Sequence, residues 1–147
     1  MTMREKRFRT RSVEGTLALG ERIIEMLQPP MLVILRGEVG AGKTTLVKGI
    51  AAALGAASED DVTSPTFTLL HEYIGPKTHL FHLDLYRLET EEQIAVLGLR
   101  EMLEQPNALV LVEWGERFES VVAMADGEIA MEHGEGDERG LMIRWKV

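Results

Sequence analysis

Cysteine is absent from the chain, which excludes disulfide staples, thiolate metal sites and cysteine nucleophiles together and makes a reducing compartment the natural setting. No apolar run approaches the ~18 residues needed to cross a bilayer, and the amino terminus lacks the apolar core of a signal peptide. A soluble, cytoplasmic protein is expected. Positive charge is scarce outside one place. The net charge is -8, yet residues 1–12 hold Arg4, Lys6, Arg7, Arg9 and Arg11 against Glu5, which leaves -12 on the remainder. A body so acidic repels polyanions and argues against broad nucleic-acid binding. The basic terminus reads as a solvated tail or the approach to a first edge strand.

With 147 residues and 45% apolar content the chain is expected to form a single domain over 1–147. Residues 6–11 suit a short strand. Ser12 is placed to cap a helix carrying Leu17, Ile24 and Leu27, which Pro29 and Pro30 stop. Met31 to Leu35 is a continuous apolar run, as expected of a strand buried on both faces of a parallel sheet. A helix from about Gly42 to Leu54, a polar loop from Ala56 to Pro65 and a strand from Phe67 to Tyr73 should follow. Strands are further expected at His79 to Leu85, Ala108 to Val112, Glu128 to His133 and Leu141 to Val147, the last two joined through residues 134–140. Short helical segments broken at Gly98 fill Thr90 to Glu104. Strands alternating with helices predict an α/β fold of three layers, with a mainly parallel sheet flanked by helices.

Gly37-Glu38-Val39-Gly40-Ala41-Gly42-Lys43-Thr44 fits the Walker A pattern of a P-loop at every fixed position, between a predicted strand and a predicted helix. With glycine near 7% of residues, a chance match in a chain this long is on the order of one in two hundred. Glycines let backbone N–H groups converge on phosphate oxygens at the positive end of a helix. Lys43 suits the terminal phosphates, the Thr44 hydroxyl suits Mg²⁺, and Thr45 adds a donor to the nearer phosphates. A nucleoside triphosphate with Mg²⁺ is the expected ligand.

Two acids occupy the places where such a site needs them. Glu113 closes the apolar run Ala108 to Val112 in the Walker B manner, and Asp84 sits likewise within His79 to Leu85. In an open α/β sheet ligands gather at the carboxyl ends of strands, so either acid is expected near the metal. Thr66, after Ser64 and Pro65, lies in a loop suited to respond to the terminal phosphate. His79 and His82 are three residues apart on one strand, face opposite sides and read as core or surface histidines. Trp114 and Trp145 read as packing residues. Arg87, Arg100 and Arg117 read as ordinary surface arginines.

Together with the loop Gly40 to Thr45, the segments Thr63-Ser64-Pro65-Thr66-Phe67-Thr68, His82-Leu83-Asp84-Leu85-Tyr86-Arg87-Leu88, Gly98-Leu99-Arg100-Glu101 and Val112-Glu113-Trp114 resemble the TsaE family, in order and at family-like spacing from Ser12 to Phe118. The resemblance implies a bacterial P-loop ATPase needed for threonylcarbamoyladenosine at position 37 of tRNAs that read codons beginning with A. It implies ATP and Mg²⁺ as ligands and a TsaB–TsaD complex as the protein partner, with tRNA reached indirectly through that complex. By the same resemblance Lys43 and Thr44 are the phosphate and Mg²⁺ residues, Glu113 the Walker B metal ligand, Asp84 a second essential acid, Thr66 part of a switch-like loop and Arg139 a nucleotide contact. Glu38 stands where the family often has Asp, at a position that contributes mainly backbone.

Two other classes share the P-loop. A small-molecule kinase needs an arginine-bearing lid, and no convincing lid segment is evident. A nucleotide-sensing module or GTP switch would carry a guanine-specifying Asn-Lys-x-Asp element, but the one asparagine, Asn107, precedes Ala108.

Overall fold

The computed structural model describes residues 2–66 and 68–147. The chain runs through β1 (Met3–Thr10), α1 (Val13–Met26), β2 (Met31–Arg36), α2 (Lys43–Ala53), β3 (Leu70–Ile74), β4 (His79–Asp84), α3 (Glu91–Ala95), α4 (Leu99–Leu103), β5 (Ala108–Glu113), α5 (Glu119–Met124), β6 (Gly127–His133) and β7 (Arg139–Lys146). The strands form one sheet in the order β1-β7-β6-β2-β5-β4-β3. β6, β2, β5 and β4 pair in parallel, and β7, β1 and β3 join by antiparallel pairing. Only β3 and β7 run against the rest, so the sheet is mainly parallel with antiparallel margins.

The unbroken apolar runs become the centre because both faces of the sheet are covered. Val33 and Leu35 of β2 join Leu109 and Leu111 of β5 and the α1 and α2 residues Ile23, Leu46 and Ile50 in one core. Leu32 and Ile34 face the other way, with Val110, Val112 and the α3 to α5 residues Ile94, Leu99 and Val121. Two-residue alternation thus feeds two cores, giving the three layers expected. Among the described residues no helix is long and apolar enough to cross a membrane.

Ser12 caps α1 as anticipated, its Oγ accepting from the Gly15 amide at 3.0 Å. α1 crosses α2 at glycines: a Cβ on Gly49 would meet the Leu17 carbonyl oxygen at 2.2 Å. That close approach seats α2, and with it the loop at its amino end, against the rest of the layer.

Some boundaries differ from expectation. The basic terminus is an eight-residue edge strand, because β1 pairs with β7 from Met3 to Thr10. The predicted strand start at Phe67 lies outside the described residues. β3 begins at Leu70, after a turn in which Leu69 adopts left-handed backbone (φ 71°) and its amide bonds the Pro65 carbonyl. α5 was not anticipated. It is six residues long and its N-cap, Phe118, offers no side-chain bond, so it has little local signature.

Candidate functional site

After Arg36 the chain leaves β2 and turns through Gly37, Gly40 and Gly42 before α2 begins at Lys43. Gly40 (φ 84°) and Gly42 (φ 99°) hold left-handed backbone that a side chain would strain. Gly42 is also the N-cap of α2 and gives its first turn no side-chain partner. The leading N–H groups of the helix are therefore oriented to receive an anion at its positive end.

A cavity of about 690 Å³ opens over this loop, lined on one side by Val39, Gly40 and Gly42 and by Lys43, Thr44 and Thr45 of α2. Thr66 from the loop before β3, Asp84 from the end of β4, Glu113 from the end of β5 and Arg139 from β7 close it. Segments far apart in sequence are thus brought to one volume of the size usual for small-molecule sites. Glu38 and Ala41 do not line it. The Glu38 carbonyl accepts from the Ala41 amide at 3.0 Å within the turn, and the Ala41 methyl is buried in the core.

Lys43, Ser64, Thr66, Asp84, Glu113 and Arg139 are each held by a partner. Lys43 Nζ donates to the Gly37 carbonyl at 2.6 Å and stands 3.4 Å from Glu113 Oε1. Asp84 Oδ2 accepts from Thr66 Oγ1 at 2.9 Å, and Oδ1 from the Tyr86 amide at 2.9 Å. Thr66 in turn meets Ser64 Oγ at 2.8 Å. Arg139 donates to the Gly40 carbonyl at 3.1 Å, reaching the phosphate-type loop from the opposite margin of the sheet. Burial pushes the Glu113 carboxyl up, but its bond and electrostatic interaction with His82, and then the Lys43 ammonium, outweigh that and hold it below the usual carboxylate range.

The donors suit a hard cation shared with a polyanion. Among the described residues no cluster of three or more His, Asp or Glu side chains could hold a metal alone. One hydroxyl, Thr44, and one or two carboxylates beside a phosphate cradle are the set on which magnesium relies, the remaining ligands coming from phosphate oxygens and water.

The model of the family described as threonylcarbamoyl adenosine biosynthesis protein TsaE matches residues 10–141. The chain belongs to the TsaE family. A Nostoc tRNA threonylcarbamoyladenosine biosynthesis protein TsaE is 43% identical over 108 residues, covering 71% of this chain and 65% of that protein, just under two thirds of its length. The Bacillus subtilis protein of the same description is 35% identical over 137 residues, covering 93% of this chain and 84% of its own. A crystal structure of Bacillus subtilis YdiB superposes with a TM-score of 0.74 at 29% identity, covering 99% of this chain and 88% of that one.

Three residues of this TsaE chain take places that sequence reasoning did not give them. His82 is not merely a core histidine: fully buried, its Nε2 lies 2.6 Å from Glu113 Oε2. Trp114 packs only in part and lines the cavity, with its ring 5.5 Å from Lys43 Nζ and tilted against Tyr86 at 5.2 Å. Arg117 is no ordinary surface arginine. Its Nη2 donates to the carbonyls of Leu85, Tyr86 and Leu88 at 3.0, 3.1 and 2.6 Å, tying the segment after β4 to the one after β5. All three roles depend on neighbours 28 to 32 or more positions away, except that Trp114 directly follows Glu113, an adjacency that could have flagged it.

Proposed function

We propose that this chain is a Mg²⁺-dependent ATPase of tRNA threonylcarbamoyladenosine biosynthesis, acting in the cytoplasm on a TsaB–TsaD complex and meeting tRNA through it. The observation that carries the proposal is the convergence of the Gly37 to Thr45 loop, Asp84 and Glu113 on one cavity. Family membership supplies the pathway, and the geometry supports the chemistry.

The backbone amides of the loop and the first turn of α2 bind the triphosphate, and Lys43 exchanges its Gly37 and Glu113 partners for terminal phosphate oxygens. Thr44 and Glu113 would hold a magnesium ion, which when bound neutralises charge developing on the transferred phosphoryl group. Asp84, gripped by Thr66 Oγ1 and the Tyr86 amide, orients the attacking water. Thr66 thereby couples the loop before β3 to the state of the terminal phosphate.

An arginine supplied from outside a P-loop site accelerates phosphoryl transfer by ~10³ to 10⁵. Arg139, which lines the cavity, and Arg117, which lies against the rings of Tyr86 and Trp114, direct guanidinium N–H groups to backbone carbonyls. The chain alone should therefore hydrolyse ATP slowly and a TsaB–TsaD complex should accelerate it. Measuring ATP hydrolysis with and without that complex tests the proposal, and equal rates would count against it. Lys43→Ala should weaken triphosphate binding, while Asp84→Ala and Glu113→Ala should mainly depress turnover.

A further inference from the structure

Alternate residues of β4 and β5 point to the α1 and α2 side of the sheet: Leu80, His82 and Asp84 on one strand, Leu109, Leu111 and Glu113 on the other. Asp84 pairs with Glu113 and His82 with Leu111, so His82 lies one pleat deeper than the two acids. Glu113 is bracketed there. Its Oε2 is 2.6 Å from His82 Nε2 and its Oε1 is 3.4 Å from Lys43 Nζ. A carboxylate only accepts, so the proton between the two lies on Nε2.

His82 has no exposure, and its other ring nitrogen, Nδ1, is buried without a hydrogen-bond partner among the described residues. Packing alone would favour an apolar residue at such a place, since a buried polar atom is costly unless bonded. What the imidazole supplies instead is one N–H aimed at Glu113. The last torsion of a glutamate is broad and roughly two-fold, so a carboxylate with a single partner turns freely enough to lose its aim.

We propose that His82 is a positioning residue for Glu113: its Nε2–H fixes Oε2 at the base of the site and keeps Oε1 turned toward Lys43 and the cavity. The inference rests on the ATPase reading above, in which Glu113 serves the reaction. His82 touches neither nucleotide nor metal in this account.

The test is single-turnover ATP hydrolysis, with KM for ATP and thermal stability measured alongside, for the wild type, His82→Leu, His82→Asn, His82→Gln, Glu113→Gln and the double variant His82→Leu/Glu113→Gln. Outer partners of this kind are worth roughly 10- to 100-fold when removed. His82→Leu and His82→Asn should lose turnover on that order with KM unchanged. Glutamine carries an amide N–H at about the reach of Nε2, so His82→Gln should recover most of the loss. The double variant should be no slower than Glu113→Gln, because the two residues act as one unit. Should His82→Leu fail to fold, the contrast between asparagine and glutamine decides. Wild-type turnover in His82→Leu and His82→Asn beside a slow Glu113→Gln would overturn this inference alone. Wild-type turnover in Glu113→Gln would overturn the reading of the site and the inference with it.

Discussion

Gly49→Ala sets two effects of opposite sign against each other. Alanine is favoured over glycine inside a helix by about 1 kcal/mol, so propensity alone predicts a more stable protein. Against that, the new Cβ would stand 2.2 Å from the Leu17 carbonyl oxygen and 2.9 and 3.0 Å from the Leu17 carbonyl carbon and Cα. Ordinary carbon to oxygen contacts begin near ~3.3 Å, so α1 and α2 would have to separate by about 1 Å. The obstacle is the backbone of another helix, which has no rotamer to change. Parting the helices would also loosen Leu19 and Ile23 against Val47 and Ile50. Overpacking costs about 1–3 kcal/mol and sometimes more, and a backbone clash belongs at the upper end. A net loss of about 2 kcal/mol follows, which for a chain of this size lowers Tm by roughly 4–8 °C. Thermal unfolding followed by circular dichroism reads this directly. Gly140→Ala is the control, since among the described residues its Cβ meets nothing within 4 Å, and should stay within about 0.5 kcal/mol of wild type. A Tm for Gly49→Ala at or above wild type would refute the reasoning.

Arg117→Ala should cost about 1–2 kcal/mol, because three carbonyls lose one donor, and should speed amide exchange across residues 85–88. Unchanged exchange there would show that the segment is held by something else. Arg139→Ala should weaken MgATP binding roughly 5- to 30-fold by freeing the Gly40 carbonyl and with it the loop. Calorimetric titration checks it, with an unchanged Kd as the adverse result. Glu113 has a folded-state pKa below its ordinary value, so its contribution to stability is complete above ~4.3 and is lost as pH falls through the lowered value. Without nucleotide, the wild type should therefore lose more stability than Glu113→Gln on acidification below that point. Parallel acid-unfolding curves for the two would contradict the assignment.

Much of the fold was legible because buried parallel strands must be apolar on both faces. Met31 to Leu35 and Ala108 to Val112 announce themselves, and a strand-to-helix glycine loop between such runs leaves few alternatives. Asp84 and Glu113 could be read from their places at strand ends. What escaped notice was fixed by neighbours distant in sequence. The bond from His82 to Glu113 requires knowing that β4 lies beside β5, and the grip of Arg117 acts on carbonyls, which carry no residue identity. The start of β3 is set by left-handed backbone at Leu69, a conformation that a leucine does not advertise. The length of β1 is set by pairing to β7 rather than by its own alternation.

The central claim is that main-chain amides between Gly37 and Thr45 receive a triphosphate accompanied by magnesium. Crystals grown with a non-hydrolysable ATP analogue and Mg²⁺ test it most directly. The account predicts β- and γ-phosphate density within hydrogen-bond reach of Lys43 Nζ and the amides of α2's first turn, with the ion on Thr44 Oγ1. A nucleotide bound elsewhere, or no binding in solution at millimolar concentration, would contradict it.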